Sequence, residues 1–123
     1  MDRLDSAHPI AITMDGPNNI VWAQSMSSFL KGRKLWRYVT GDIMEPVHAT
    51  GKDTTKFAER LEDWDSKNHQ IITWIRNTCV SSISLQFGRF STAKSLWDFL
   101  QHRYTTIDLA HQYQLLSTLH QMK

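Results

Sequence analysis

The sequence predicts an all-α fold, a compact bundle of about five helices with an irregular N-terminal arm. Two observations carry this expectation. Apolar residues recur at threes, fours and sevens along most of the chain. Five Gly and three Pro among 123 residues are too few for the turns of a many-stranded β protein. The only segment open to either reading is 80–87, where Val80, Ile83, Leu85 and Phe87 fit a short helix about as well as a strand. With 41% hydrophobic residues, five Trp and five Phe, the chain holds enough large side chains for one core.

Residues 1–18 read as the arm. His8-Pro9 and Gly16-Pro17-Asn18-Asn19 break helix, and Ile10 to Met14 forms at most a short extended piece. A first helix follows Asn18-Asn19, either of which offers a side-chain oxygen as cap. Its face is Trp22, Met26 and Leu30, with Phe29 beside them. Gly32 weakens it, and a short piece over 34–39 follows with Leu35, Trp36 and Val39. Gly41 suits a left-handed end to that piece. A polar connector over 42–53 leads to a long helix from Thr54 to about Thr78. Its apolar set is Phe57, Leu61, Trp64, Ile71, Ile72 and Ile75; Asn68 interrupts this seam and Trp74 lies off its centre.

Gly88 closes the ambiguous segment, and Ser91-Thr92 caps the clearest helix, which carries Ala93, Leu96, Trp97, Leu100 and Tyr104. A short link over 105–107 then leads to a last helix from Asp108, with Leu109, Tyr113, Leu116 and Leu119. The expected organisation is therefore an arm (1–18), a helical domain (19–107) and a terminal helix (108–123). No cap closes that helix, which predicts that the natural chain continues. The expected core is Trp22, Met26, Leu30, Trp36, Trp64, Ile71, Ile75, Leu96, Trp97 and Leu100.

The chemistry-bearing residues are sparse. Fourteen basic and twelve acidic residues leave a net charge of +2, too small to imply nucleic acid or membrane as the main partner. One Cys, Cys79, excludes an intrachain disulfide and a multi-cysteine zinc site. No two of the six His have the i, i+4 spacing of a helical metal pair. Neither a phosphate-binding glycine loop nor a nucleophile elbow occurs. No catalytic residue, metal or cofactor is expected, and the protein is expected not to be an enzyme. The longest unbroken apolar run, Ile20 to Ala23, is far below the roughly 20 residues of a membrane span. With acids rather than a basic-apolar leader near the start, the default expectation is a soluble intracellular protein.

One segment, Lys31-Gly32-Arg33-Lys34-Leu35-Trp36-Arg37, gathers four basic residues around a Trp. Lys31, Arg33, Lys34 and Arg37 are the candidate nucleic-acid contacts, weak and non-specific, because an isolated basic cluster supplies only phosphate contacts. Leu109, Tyr113, Leu116 and Leu119 are the candidate interface. The alternative is that this last face folds back as a further core helix.

Taken in order, the Trp-bearing blocks form a set. Asn19-x-x-Trp22-x-x-x-Met26-x-x-x-Leu30 is followed by Leu35-Trp36-x-x-Val39-x-Gly41. Then come Trp64 through Ile72 and Ile75, and Thr92-Ala93-x-x-Leu96-Trp97-x-x-Leu100-x-x-x-Tyr104 with Leu116-x-x-Leu119. This set resembles the Gag polyproteins of copia-type LTR retrotransposons, plant ones in particular, over residues 19–119. Ile20 stands where that family usually has Tyr. The resemblance implies a structural protein, the N-terminal part of a capsid-like region, that self-associates into cytoplasmic virus-like particles packaging element RNA. With one Cys the chain holds no zinc knuckle, and it holds no protease Asp-Ser/Thr-Gly. A Gag fragment, or a host protein derived from a Gag, would look this way. The alternatives from other classes are a nucleic-acid-binding module using 31–37 and a helical protein–protein adaptor.

Overall fold

The computed structural model describes residues 9–51 and 53–121, with side chains up to Leu119. Residues 1–8 of the expected arm, His8 among them, and the side chain of His120 lie outside the described residues. The chain is all-α. Helices α1 (Asn19–Gly32), α2 (Trp36–Thr40), α3 (Thr54–Asn77), α4 (Ser81–Ser84) and α5 (Ala93–Gln121) follow one another, with a 3₁₀ turn at Phe87–Arg89. The segment that admitted a strand is thus the single turn α4 and the 3₁₀ turn. Ile83 and Phe87 are buried there, whereas Leu85 points outward.

The core forms where α1, α3 and α5 present their apolar stripes to one another. Trp22, Met26 and Leu30 of α1 meet Ile71, Ile72, Trp74 and Ile75 of α3 and Ala93, Leu96 and Leu100 of α5, all buried. Helix α1 runs antiparallel to α5, since Asn19 bonds Gln101 and Thr105 while Trp22 stacks on Trp97. Three expected core residues depart from the pattern. Trp36 and Trp97 are only half-buried, because their large rings lie at the rim where α2 crosses α5. Their rings pack edge to face with centroids 5.1 Å apart. Trp64 is buried but stands apart from the main core, with its Nε1–H donating to the Ile43 carbonyl at 3.1 Å and so pinning the connector to α3.

Expectation and structure differ most in how the helix ends are satisfied. Asn18 occupies the cap position of α1 but gives it no side-chain bond. Its amide instead ties the preceding loop, accepting from the Asp15 N–H and donating to the Thr13 carbonyl. The free N–H of Ile20 is taken by the buried carboxylate of Asp108, 2.7 Å away and 88 residues later. Asp108 thus caps α1 from another helix, where a negative group also complements the helix dipole. Asp108→Ala should lower stability by about 1–2 kcal/mol, the usual range for a lost N-cap, measured by urea denaturation. An unchanged midpoint would show that water replaces the carboxylate.

At the other end of α1, Gly32 is the last helical residue and the left-handed position falls at Lys34 (φ 63°). Leu35 N–H bonds the Leu30 carbonyl at 2.8 Å and Lys34 N–H bonds the Lys31 carbonyl at 3.0 Å, the paired bonds of a Schellman ending. Gly41 ends α2 with φ +90° as its type suggests. Asp53 caps α3, accepting from Thr55 N–H and Lys56 N–H.

Two further findings concern the arm and the last helix, and the second is a correction. Met14 is fully buried, and its backbone bridges α3's end: its N–H bonds the Thr78 carbonyl at 2.7 Å, and its carbonyl accepts from Val80 N–H at 3.0 Å. The arm is anchored there by one parallel bridge, Met14 to Cys79, and among the described residues no strand forms. The break expected at 105–107 is absent. Helix α5 runs through it as one 29-residue helix, because Tyr104 and Asp108 continue the buried i, i+4 ridge of Leu96 and Leu100.

Candidate interaction surface

Two surfaces answer to the sequence expectations, and the structure treats them differently. The first is the basic segment. Lys31 sits over the Trp36 ring at 5.4 Å. The Arg33 guanidinium lies over Phe29 at 4.7 Å and over Trp74 at 5.4 Å. Arg37 is paired with Asp42 at 3.7 Å. Lys34 is at the left-handed turn between α1 and α2. Each of the first three is within attractive range of a ring or an acid. They serve the α1–α2 junction, where the Trp36 ring is held between Lys31 and Trp97.

This arrangement leaves only diffuse phosphate attraction to the segment. Changing Lys31, Arg33, Lys34 and Arg37 together to Ala should flatten the salt dependence of single-stranded RNA binding by at most about 3 in log–log slope. The expected wild-type binding is weak and indifferent to sequence. Sequence-selective binding at physiological salt, lost in the variant, would contradict this.

The second surface is the far half of α5. Beyond Asp108 every residue from 109 to 119 is exposed. Leu109 is 53% exposed, Tyr113 76%, Leu116 66% and Leu119 66%. Leu115 joins them at 52%; its place outside the 4–3–3 spacing hid it from the sequence reading. At about 100° per residue the five side chains cover an arc of roughly 160°. The face does not fold back as a further core helix. Soluble monomers rarely expose so contiguous an apolar patch.

A third surface is an open groove between the connector and α3, with Tyr38, Ile43, Met44, Pro46 and Trp64 as its apolar lining and Glu59, Arg60 and Asp63 as its charged lining. Among the described residues no group of three or more His, Cys, Asp or Glu side chains could hold a metal ion. Cys79 is buried, and loss of hydration pushes its thiol up to about 12, leaving it protonated and unreactive at neutral pH. No described helix is long and apolar enough to cross a membrane. Comparison with protein families, with curated proteins and with solved structures finds no match for this chain.

Proposed function

We propose that the chain is a capsid-type Gag domain of a copia-like retrotransposon, or of a host protein derived from one, and that it works by self-association into oligomers or cytoplasmic virus-like particles. The observation that carries self-association is the exposed face of α5, with Leu109, Tyr113, Leu116 and Leu119 exposed and unpartnered among the described residues. The Gag assignment is supported by the ordered Trp spacing of the sequence. Three of the five Trp residues form a packed series, in which Trp36 abuts Trp97 and Trp97 stacks on Trp22 at 5.4 Å. In this reading the domain performs no catalysis and takes no cofactor; RNA attraction through 31–37 is weak and ancillary.

The double substitution Tyr113→Asp with Leu116→Asp tests it. Both side chains are exposed, so the fold should survive, with an unchanged circular dichroism spectrum and melting temperature. Light scattering should show an oligomeric wild type and a monomeric variant. An oligomer that persists in the variant would place the interface elsewhere, and an unfolded variant would mean that the face belongs to the core.

A further inference from the structure

The projecting part of α5 has a charge pattern that bears on its partner. From 109 to 121 the sequence is LAHQYQLLSTLHQ, without one Asp, Glu, Lys or Arg. Surfaces of small domains usually carry such residues at about a quarter or more of positions. A charged partner would find no complement here, whereas a second copy meets no like charge. The five exposed side chains would bury on the order of 1,000 Å² across a pair, near the lower bound for a specific interface. The stretch is about 20 Å long at 1.5 Å per residue, enough for two helices to lie side by side.

The body beside this stretch has a notch. Where α5 leaves the body, Asp15, Pro17, Val21, Asp108 and His111 line a recess of about 550 Å³. Val21, on the first turn of α1, is 51% exposed there. In an antiparallel pair the far turn of the partner's stretch comes to this recess beside Val21, whereas in a parallel pair the recess stays open.

We infer that two copies pair through this stretch in antiparallel fashion, the turn around Leu119 of each coming to the recess beside Asp108 and Val21 of the other copy. This rests on the self-association reading and specifies its geometry. Antiparallel pairing with Tyr113 facing Leu116 of the other copy puts the two-fold axis between residues 114 and 115. Leu109 then lies opposite the 119–120 level, so Leu119 reaches the mouth of the recess. The contact is isologous and closes at two copies. Larger assemblies would need a second contact.

Cysteine cross-linking distinguishes the orientations, because a disulfide forms only where Cα atoms come within about 7 Å. Cys79 is buried and does not interfere. Leu109→Cys and Leu119→Cys proteins are prepared separately, then mixed, exchanged and oxidised. The expected result is a cross-linked heterodimer in the mixture, at least tenfold above the yield of either protein alone. Leu109→Cys linking efficiently to itself would overturn the antiparallel geometry and leave self-association standing. A wild type that is dimeric by mass, with no link in any combination, would overturn the geometry as well. A wild type that is monomeric by mass would overturn the pairing and the functional reading together.

Discussion

Trp22→Ala should cost about 3–5 kcal/mol of folding stability, the usual range for a truncated core aromatic. The indole is fully buried, stacks on Trp97 with ring centroids 5.4 Å apart, and reaches α3's end through its Nε1–H, 3.0 Å from Thr78 Oγ1. That hydroxyl in turn donates to the Trp74 carbonyl at 3.0 Å. One side chain therefore fastens α1 to α3 and α5 at once, and the vacated volume borders three helices that cannot all move inward. Against a typical total of about 5–15 kcal/mol, such a loss leaves a marginal protein. Trp22→Phe should cost less, since it keeps most of the apolar volume and gives up the single hydrogen bond. Urea denaturation measures both. A loss below about 1 kcal/mol for Trp22→Ala would show that the bundle repacks around the gap.

The second large effect is expected at Asn68, the polar residue inside the α3 seam. Its side chain is 1% exposed. Its Nδ2 donates to the Ser91 carbonyl at 2.8 Å, and its Oδ1 accepts from the buried Ala93 N–H at 2.7 Å. The amide thus satisfies one donor and one acceptor where α5 begins. Asn68→Ala removes both bonds and leaves both backbone groups without their partner. Each such loss costs about 1–3 kcal/mol, so a total of about 2–6 kcal/mol is expected. Asn68→Asp separates the two roles: it keeps an acceptor for Ala93 but turns a carboxylate oxygen towards the Ser91 carbonyl. It should therefore destabilise strongly at neutral pH and recover in part under acid, when the carboxyl can donate. An Asn68→Asp protein as stable as wild type at neutral pH would refute this account of the clasp.

These two residues show what the sequence makes legible. Trp22 is part of a 3.6-residue repeat, and the repeat identifies its face without knowledge of the partners. Asn68 looks like an interruption of the same kind of repeat, because a single polar residue has no period from which a partner could be read. Asp108 is the same case: its carboxylate caps a helix 88 residues earlier in sequence, and no local spacing encodes such a bond. Asn18 shows the converse. Its type and position suit a cap, but its amide is spent on the Thr13–Asp15 loop instead.

The candidate surface divides along similar lines. The leucines of α5 are visible as a stripe at regular spacing, yet the sequence alone leaves open whether the stripe folds inward. The geometry decides it: among the described side chains Asp108 is the last buried one of α5, and the stripe lies beyond it. The basic segment is also plain in sequence. What spacing does not reveal is that the Phe29 and Trp74 rings lie under Arg33, that Trp36 lies under Lys31, and that Asp42 pairs with Arg37.

Sedimentation equilibrium across a concentration series tests the central claim, self-association through α5, most directly. The account predicts a weight-average mass that rises with concentration from the 14.3 kDa of one chain towards twice that value or more. The Tyr113→Asp, Leu116→Asp protein, run beside it, should remain at the single-chain mass with its helical content intact. A wild-type mass that stays at one chain up to millimolar concentration would contradict the account.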